Sequence, residues 1–365
     1  MTTPPSSTST PSTPTPSTPT TNPSTSKPST LRRVVQLSVS LIVGAVCLWF
    51  AFRGLDGAEL SLDDVKARVA AVPAAATAGF FVLFFGQLLL RTERWRLQVR
   101  GLSGRTPGWR DALAINAFAF AAVFLLPFRL GEFVRPKLSQ QRGFMSVSAG
   151  LAATAVERVL DGLLTTALFG ALLLLSPHDL PAPVRVGGLS ALGIFGGASM
   201  FFVMAFRFRA LALGLIDKTV GVVHAGLARR LRGIAGDFLD GLACFGGVGG
   251  VGVYVGLSVA YWMLNALSML LIVRAIDATA PIDAGFFCLC FLVIGVMIPA
   301  PPGNVGNFHY FARAGLMLTG VAAAPAVATA IVLHALTVVG VVVWAGFFFF
   351  VGGFSWRELS RPSGS

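Results

Sequence analysis

Long apolar runs, separated by short polar stretches, set the layout of this chain. They cover about 34–52, 73–90, 112–128, 148–175, 187–206, 248–273, 284–300 and 322–351, with a further apolar piece at 305–320. Several approach 20 residues, the length a helix rising about 1.5 Å per residue needs to cross a hydrocarbon core of about 30 Å. The ten-residue alternation of a transmembrane barrel is not the pattern here. The runs predict an all-α fold, a polytopic helical membrane protein.

Two of the runs do not read as simple crossings. The 91–111 stretch carries Arg91, Arg94, Arg96, Arg100, Arg105 and Arg110 against Glu93 and Asp111, and the 207–243 stretch is also basic. Basic loops stay on the cytoplasmic side, which puts both of these, and both termini, inside. The acidic 53–72 loop and the weakly charged 176–186 and 274–283 loops then face outward. A full crossing by 112–128 would carry Arg129, Arg135, Lys137 and Arg142 to the outside, against that bias. A re-entrant segment removes the conflict. In 284–320, Pro299, Pro301, Pro302, Gly303 and Gly306 interrupt an apolar stretch. Proline removes a backbone donor and glycine accepts unusual dihedrals, so the helix should break at membrane depth. Broken backbone in lipid needs cover from protein or a wet cavity, and one break per half of the chain points to a transporter-like binding site. The expectation is about six crossing helices plus two re-entrant or broken segments, with eight full spans as the alternative.

Composition sharpens the picture. About 55% of the 365 residues are apolar and 12% are charged, and the formal charge is +12. A soluble domain carries roughly 25% charge, so a soluble fold is excluded. Much of the excess charge flanks apolar runs, where it orients loops and attracts anionic lipid, and no basic helix or aromatic-basic platform outside the membrane suggests a nucleic-acid partner. Residues 1–30 are almost wholly Ser, Thr and Pro and read as a disordered tail. Arg32-Arg33 precedes an apolar run too long for a signal peptide, so the first run reads as an uncleaved helix. The expected organisation is a tail over 1–30, a membrane domain over 31–353 and a short cytoplasmic tail over 354–365. Cys47, Cys244, Cys288 and Cys290 read as small apolar core residues. His178, His224, His309 and His334 show no metal-ligand spacing, so no metal and no cofactor are expected.

Polar residues inside or beside apolar runs carry the candidate chemistry. Arg or Asp at a bilayer centre costs roughly 2.5–3.5 kcal/mol on insertion scales, so each needs a partner or water. Arg129, Glu132 and Arg135 sit three apart, and on one helix face Glu132 would brace both guanidinium groups. Interfacial anchoring is the alternative for this segment. Glu157, Arg158 and Asp161 fall in a run that stays apolar to Leu175. Glu157 and Asp161 share a face at i,i+4, and a start near Ser148 puts Glu157 about 14 Å deep. A structural ion pair locking two helices is the alternative reading. Arginine's planar fork suits a lipid phosphate, so Arg129, Arg135 and Arg158 are candidate headgroup ligands, with Glu132, Glu157 and Asp161 orienting them. Around the second break, Asn304, Asn307 and His309 add uncharged polar groups, and the stretch lacks the Lys-Ser/Thr of a nucleotide loop.

Three segments in order, PFRLGEFVRP from Pro127, ERVLD from Glu157 and PAPPGNVG from Pro299, resemble the flippase-like family, the transmembrane region of lysylphosphatidylglycerol synthases. Pro127, Arg129, Gly131, Glu132 and Arg135 match its P-x-R-x-G-E-x-x-R stretch. Glu157, Arg158 and Asp161 match E-R-x-x-D, and Pro299, Pro302, Gly303 and Gly306 match P-x-x-P-G-G-x-G. Asn304 departs from the second glycine of that last motif, and His309 stands where a Glu is usual. The resemblance implies a stand-alone member of a bacterial or archaeal cell membrane, without the soluble synthase domain and not itself an enzyme. It would bind an amphiphilic phospho- or glycolipid and move it between leaflets. The alternatives are a transferase on a lipid-linked substrate, for which Asp63-Asp64 is the available acidic pair, and a non-transporting scaffold for an envelope enzyme partner.

Overall fold

The computed structural model describes residues 30–53, 61–126, 131–223, 225–243, 245, 248–298 and 301–351. Both predicted tails apart from Thr30, and the candidate positions Pro127, Arg129 and Pro299, lie outside the described residues. Among the described residues the chain forms thirteen α-helices and no strand. They are α1 (Thr30–Phe52), α2 (Leu62–Ala70), α3 (Ala74–Ser103), α4 (Trp109–Leu125), α5 (Val134–Gln141), α6 (Val147–Leu175) and α7 (Ala182–Arg207). After these come α8 (Arg209–Val223), α9 (Ala225–Ala243), α10 (Val248–Ile276), α11 (Ala284–Met297), α12 (Asn307–Met317) and α13 (Ala323–Val351). The polytopic helical class read from the apolar runs is what the chain adopts.

Four helices, α3, α6, α10 and α13, are long and apolar enough to cross a membrane. Their 29 or 30 residues span about 43–45 Å at 1.5 Å per residue. Shorter apolar helices lie within α1, α7 and α11. The order long, short, short, long occurs twice: α3-α4-α5-α6 and α10-α11-α12-α13.

The short pairs are hairpins, and they open on opposite faces of the bundle. In the first, Arg142 just after α5 donates to Asp111 near the start of α4 at 2.8 Å, so the chain returns to the face it left. Arg110 on that face donates to the Val351 carbonyl at the end of α13. On the opposite face, Arg68 of α2 reaches the Ile276 carbonyl at the end of α10, and Val65 of α2 packs with Ala324 and Val327 at the start of α13. The α11–α12 hairpin is joined to this second face at both ends. Its helices, of 14 and 11 residues, reach only about 21 and 16 Å, short of a full crossing.

At both tips the chain turns where no side chain fits. A Cβ on Gly131 would lie 2.0 Å from the Val123 nitrogen, so the returning chain rests directly on the α4 backbone. Gly306 has φ +89, and a Cβ there would lie 2.0 Å from the Gly44 carbonyl of α1. Only glycine meets both demands. The turn Pro302–Asn304 at the second tip packs against α4, so the two tips meet inside the bundle. The fold is thus crossing helices with two opposed hairpins, not eight full spans.

Two expectations about connections need correction. The 207–243 stretch, read as a loop, is the helix pair α8 and α9, and α9 packs on α6 and α3. The 91–111 stretch, read as a loop from its charge, is helical as far as Ser103. Charge density alone hid the helix, because several of these arginines face protein rather than water.

Candidate functional site

The site forms where α3, α6 and α10 pass the first hairpin. On α3, Gln87, Arg91, Arg94 and Gln98 recur at helical spacing, so one face of an apolar helix is polar. On α6, Ser146 caps the helix by accepting from the Ala149 amide, and ten residues on from Val147, about 15 Å, comes Glu157. Its carboxylate is 2% exposed.

Glu157 is held by arginines from three elements. Arg135 of α5 donates to Oε2 at 2.7 Å, Arg158 donates to Oε1 at 2.6 Å, and Arg91 approaches Oε1 at 3.9 Å. Thr154 one turn back also accepts from Arg135, at 3.1 Å. Asp161 takes a second set. Arg94 and the Trp262 indole both donate to Oδ1, the latter at 3.2 Å, and Arg158 lies 3.8 Å from Oδ2. Arg94 also donates to the Tyr254 hydroxyl and lies over the Tyr254 and Tyr261 rings, 4.9 and 5.3 Å from their centroids.

Exposure divides the four arginines. Arg94 and Arg135 are 1% and 6% exposed, whereas Arg91 and Arg158 are 14% and 34% exposed. The first pair neutralises buried carboxylates, since an unpaired charge there would be strongly destabilising. The second pair shares those carboxylates and still faces open space. Arg135 Nη1 and Arg158 Nε are buried without a protein hydrogen-bond partner among the described residues. With Glu132 the described cluster counts four arginines and three carboxylates, leaving one positive charge in excess.

The open space is a cavity of about 760 Å³. Arg91, Glu132, Arg135, Arg158 and Asp161 line one end. Beyond Gln87, Thr165 and Asn265 next to that end, Phe80, Phe84 and Phe124 form one wall and Phe169, Leu289 and Phe291 another. From Arg91 to Phe80 on α3 is eleven residues, about 16 Å along the axis. Both hairpin tips contribute, Gly131 and Glu132 from the first and Asn304 and Phe308 from the second. One end of this space suits a compact anion, and the remainder suits hydrocarbon.

The sequence-predicted residues divide in the same way. Glu132, Arg135, Glu157, Arg158 and Asp161 gather at the charged end. Glu132 sits in the middle of a tight turn over 131–133 rather than on a longer helix face, and the carboxylate that braces Arg135 is Glu157, across on α6. Pro302, Gly303, Asn304, Gly306, Asn307 and His309 form the second tip, apart from the arginines. There the broken backbone is satisfied locally. Asn307 donates to the Gly295 carbonyl at 3.3 Å, His334 donates to the Gly303 carbonyl at 2.7 Å, and the Gly306 amide donates to His309 Nδ1 at 3.4 Å. Asn304 has φ 55, a left-handed conformation that asparagine tolerates better than most residues, which accounts for its standing in a glycine position. Arg91, Arg94, Tyr254 and Trp262 are additions that the sequence reading did not single out. The i, i+4, i+7, i+11 polar spacing from Gln87 to Gln98 was the available signal for the two arginines. Cys288 and Cys290 are buried among apolar side chains, as small core residues.

The chain belongs to the lysylphosphatidylglycerol synthase transmembrane region family, whose model matches residues 36–345. It is 26% identical over 357 aligned residues to a protein of Haloferax volcanii named Glycosyltransferase AglD, covering 85% of this chain and 54% of that protein. The chain thus spans about half the length of that relative. No solved structure matches it.

Proposed function

We propose that this member of the lysylphosphatidylglycerol synthase transmembrane region family binds an anionic amphiphilic lipid in the cavity and moves its headgroup between leaflets of the cell membrane. The observation that carries the reading is the 760 Å³ cavity with guanidinium groups at one end and aromatic and aliphatic walls along the rest. Arg158 and Arg91, aided by Arg135, hold the phosphate, and Glu157, Asp161 and Glu132 position them. Two hairpins that enter from opposite faces and meet at the cavity give a central site reachable by alternating movement of either one. The arginine-rich face carrying Arg100, Arg105 and Arg110 is the cytoplasmic one, which puts the charged end nearer the inner leaflet.

The test is leaflet exchange of a fluorescent phospholipid in liposomes, with binding measured on the same preparations. Arg158→Ala removes a charge-assisted contact of about 1.5–3 kcal/mol, so lipid affinity should fall about 10- to 100-fold and exchange should slow in parallel. Unchanged binding and exchange in a folded Arg158→Ala protein would remove the proposal.

A second reading rests on the name of the Haloferax volcanii relative: a transferase acting on a lipid-linked substrate. The acidic pair available outside the bundle, Asp63 and Asp64, lies on α2, where each pairs within the helix, with Lys66 and Arg68 respectively. Asp63→Asn with Asp64→Asn should leave binding, exchange and stability unchanged, since exposed ion pairs contribute little. Turnover of a lipid-linked sugar donor that is lost in this double variant would favour the transferase.

A further inference from the structure

The three helices that carry the charged end also carry, one turn further along the cavity, a layer of uncharged polar groups. On α3, Gln87 precedes Arg91 by four residues, one turn. On α6, Thr165 follows Asp161 by four, and on α10, Asn265 follows Tyr261 by four. α3 runs from the second face toward the first, and α6 and α10 run the other way, so these offsets all point in one direction. Gln87, Thr165 and Asn265 are therefore at similar depth, about 6 Å from the arginines. All three line the cavity. The next turn brings Phe84 on α3, Phe169 on α6 and Met269 on α10, the last beside Ser268, whose hydroxyl is spent on the Asn265 carbonyl at 2.7 Å.

This layer is built rather than incidental. Gln87 is 5% exposed, and its Oε1 has no hydrogen-bond partner among the described residues. A buried amide without a partner is destabilising unless something in the cavity pairs with it. The Thr165 hydroxyl donates to the Asp161 carbonyl at 2.8 Å, which leaves its oxygen to accept. The Asn265 amide gives one proton to the Tyr261 carbonyl at 3.4 Å and keeps another. Donors and acceptors are thus both on offer, the combination a hydroxyl group matches. An ammonium only donates, and the carboxylates that line the cavity, Glu132 and Asp161, stand in the charged layer. A cation at the depth of Gln87 would be without a counter-charge there.

We propose that this uncharged layer selects the headgroup: a phosphate monoester or diester bearing a neutral polyol, such as glycerol, inositol or a sugar, is preferred over a bare phosphate or one bearing an ammonium. The proposal rests on the lipid-binding reading above, with the phosphate at Arg158 and Arg91 and the hydroxyls at Gln87, Thr165 and Asn265.

The experiment measures affinities of the purified full chain in detergent for phosphatidylglycerol, phosphatidylinositol, phosphatidic acid and phosphatidylethanolamine, with soluble glycerol 1-phosphate as competitor. The two polyol lipids should bind about five- to tenfold more tightly than phosphatidic acid, and phosphatidylethanolamine more weakly still. Gln87→Leu should bring the polyol lipids to the level of phosphatidic acid and leave phosphatidic acid unchanged. Gln87→Glu, which keeps size and polarity, should shift preference toward phosphatidylethanolamine, so a misfolded leucine variant would not end the test. Equal binding of all four lipids by the wild type, or an equal loss for all of them in Gln87→Leu with no shift in Gln87→Glu, would overturn the polyol station while Arg158 dependence kept the lipid site. Loss of Arg158 dependence would overturn the lipid site itself. Competition by glycerol 1-phosphate as effective as that of phosphatidylglycerol would overturn the lipid source and support the polyol station.

Discussion

The two hairpins solve one problem with different chemistry. Each brings a turn of non-helical chain into the interior, where backbone groups without partners are costly. The first leads straight into charge, with Glu132 in the turn and Arg135 one residue into α5, and the arginine is neutralised from outside the hairpin by Glu157 of α6. The second carries no formal charge at its tip. Its polar groups close on themselves and on α13, through Asn307, His309 and His334. The first hairpin is tied to α6 by a buried ion pair, whereas the second is tied to its neighbours by neutral contacts at its tip and by Arg313 of α12, which donates to the Phe50 and Ala51 carbonyls at the end of α1. For the lipid transport proposed above, the contrast assigns ligand holding to the first hairpin and movement to the second, whose tip carries no buried charge.

The largest expected effect comes from breaking the tie. Glu157→Leu leaves Arg135, 6% exposed, with its carboxylate partner removed and sets Arg91 and Arg158 against each other. Removing one member of a buried pair costs about 3–5 kcal/mol, and this should appear as a large loss of stability in denaturant unfolding in mixed micelles. Glu157→Leu combined with Arg135→Met should recover most of it, because no buried charge is then stranded. Recovery of stability without recovery of lipid binding would show that Glu157 and Arg135 serve the ligand as well as the fold. A single substitution with no effect would break the comparison at its root.

The next effect tests the hairpin tips as backbone devices. Gly131→Ala and Gly306→Ala each push a methyl into backbone, at 2.0 Å in both, and Gly306 adds a positive φ. Each should destabilise by about 1–3 kcal/mol or more. Gly104→Ala is the reference, with φ +68 and no atom within 4 Å, so it carries the conformational term alone. If Gly306→Ala costs no more than Gly104→Ala, the close packing of the second tip on α1 is not what holds it.

How much of this was legible in the sequence depends on what kind of signal each residue left. Apolar run length is a property of consecutive residues, so the long apolar helices and the second break, marked by Gly303 and Gly306, could be read directly, whereas α8, α9 and the charged end of α3 could not. Glu157 and Asp161 stood out because a carboxylate in an apolar run is costly unless a partner or water meets it. Arg91 and Arg94 did not, since they border a basic stretch and counted as loop charge. Their place on a helix face is visible only once α3 is known to run on to Ser103. The pairing of Arg135 with Glu157 spans 22 residues and two elements, and no local spacing encodes it. Glu132, three residues away, is the partner that spacing alone suggests. Gln87 left the faintest trace, because one neutral amide in an apolar helix is unremarkable until a cavity lies beside it.

The smallest effect distinguishes self-satisfaction from support by neighbours in the second hairpin. His334 of α13 donates from Nε2 to the Gly303 carbonyl at 2.7 Å and packs its ring on Phe308 and His309, with centroids 5.0 and 4.7 Å apart. Of these contacts, the hydrogen bond is neutral, so losing it in His334→Leu should cost only about 1 kcal/mol, well below the Glu157 variant. His334→Gln keeps a donor and should fall between wild type and the leucine variant in the same unfolding measurement. Its value for the comparison lies in the second readout. If the hairpin moves as a unit, loosening its tie to α13 should alter the rate of lipid exchange while the affinity for lipid, set at the arginine end, stays the same. A matching loss of affinity would mean that the two tips act as one rigid site, and the assignment of holding to one hairpin and movement to the other would fail.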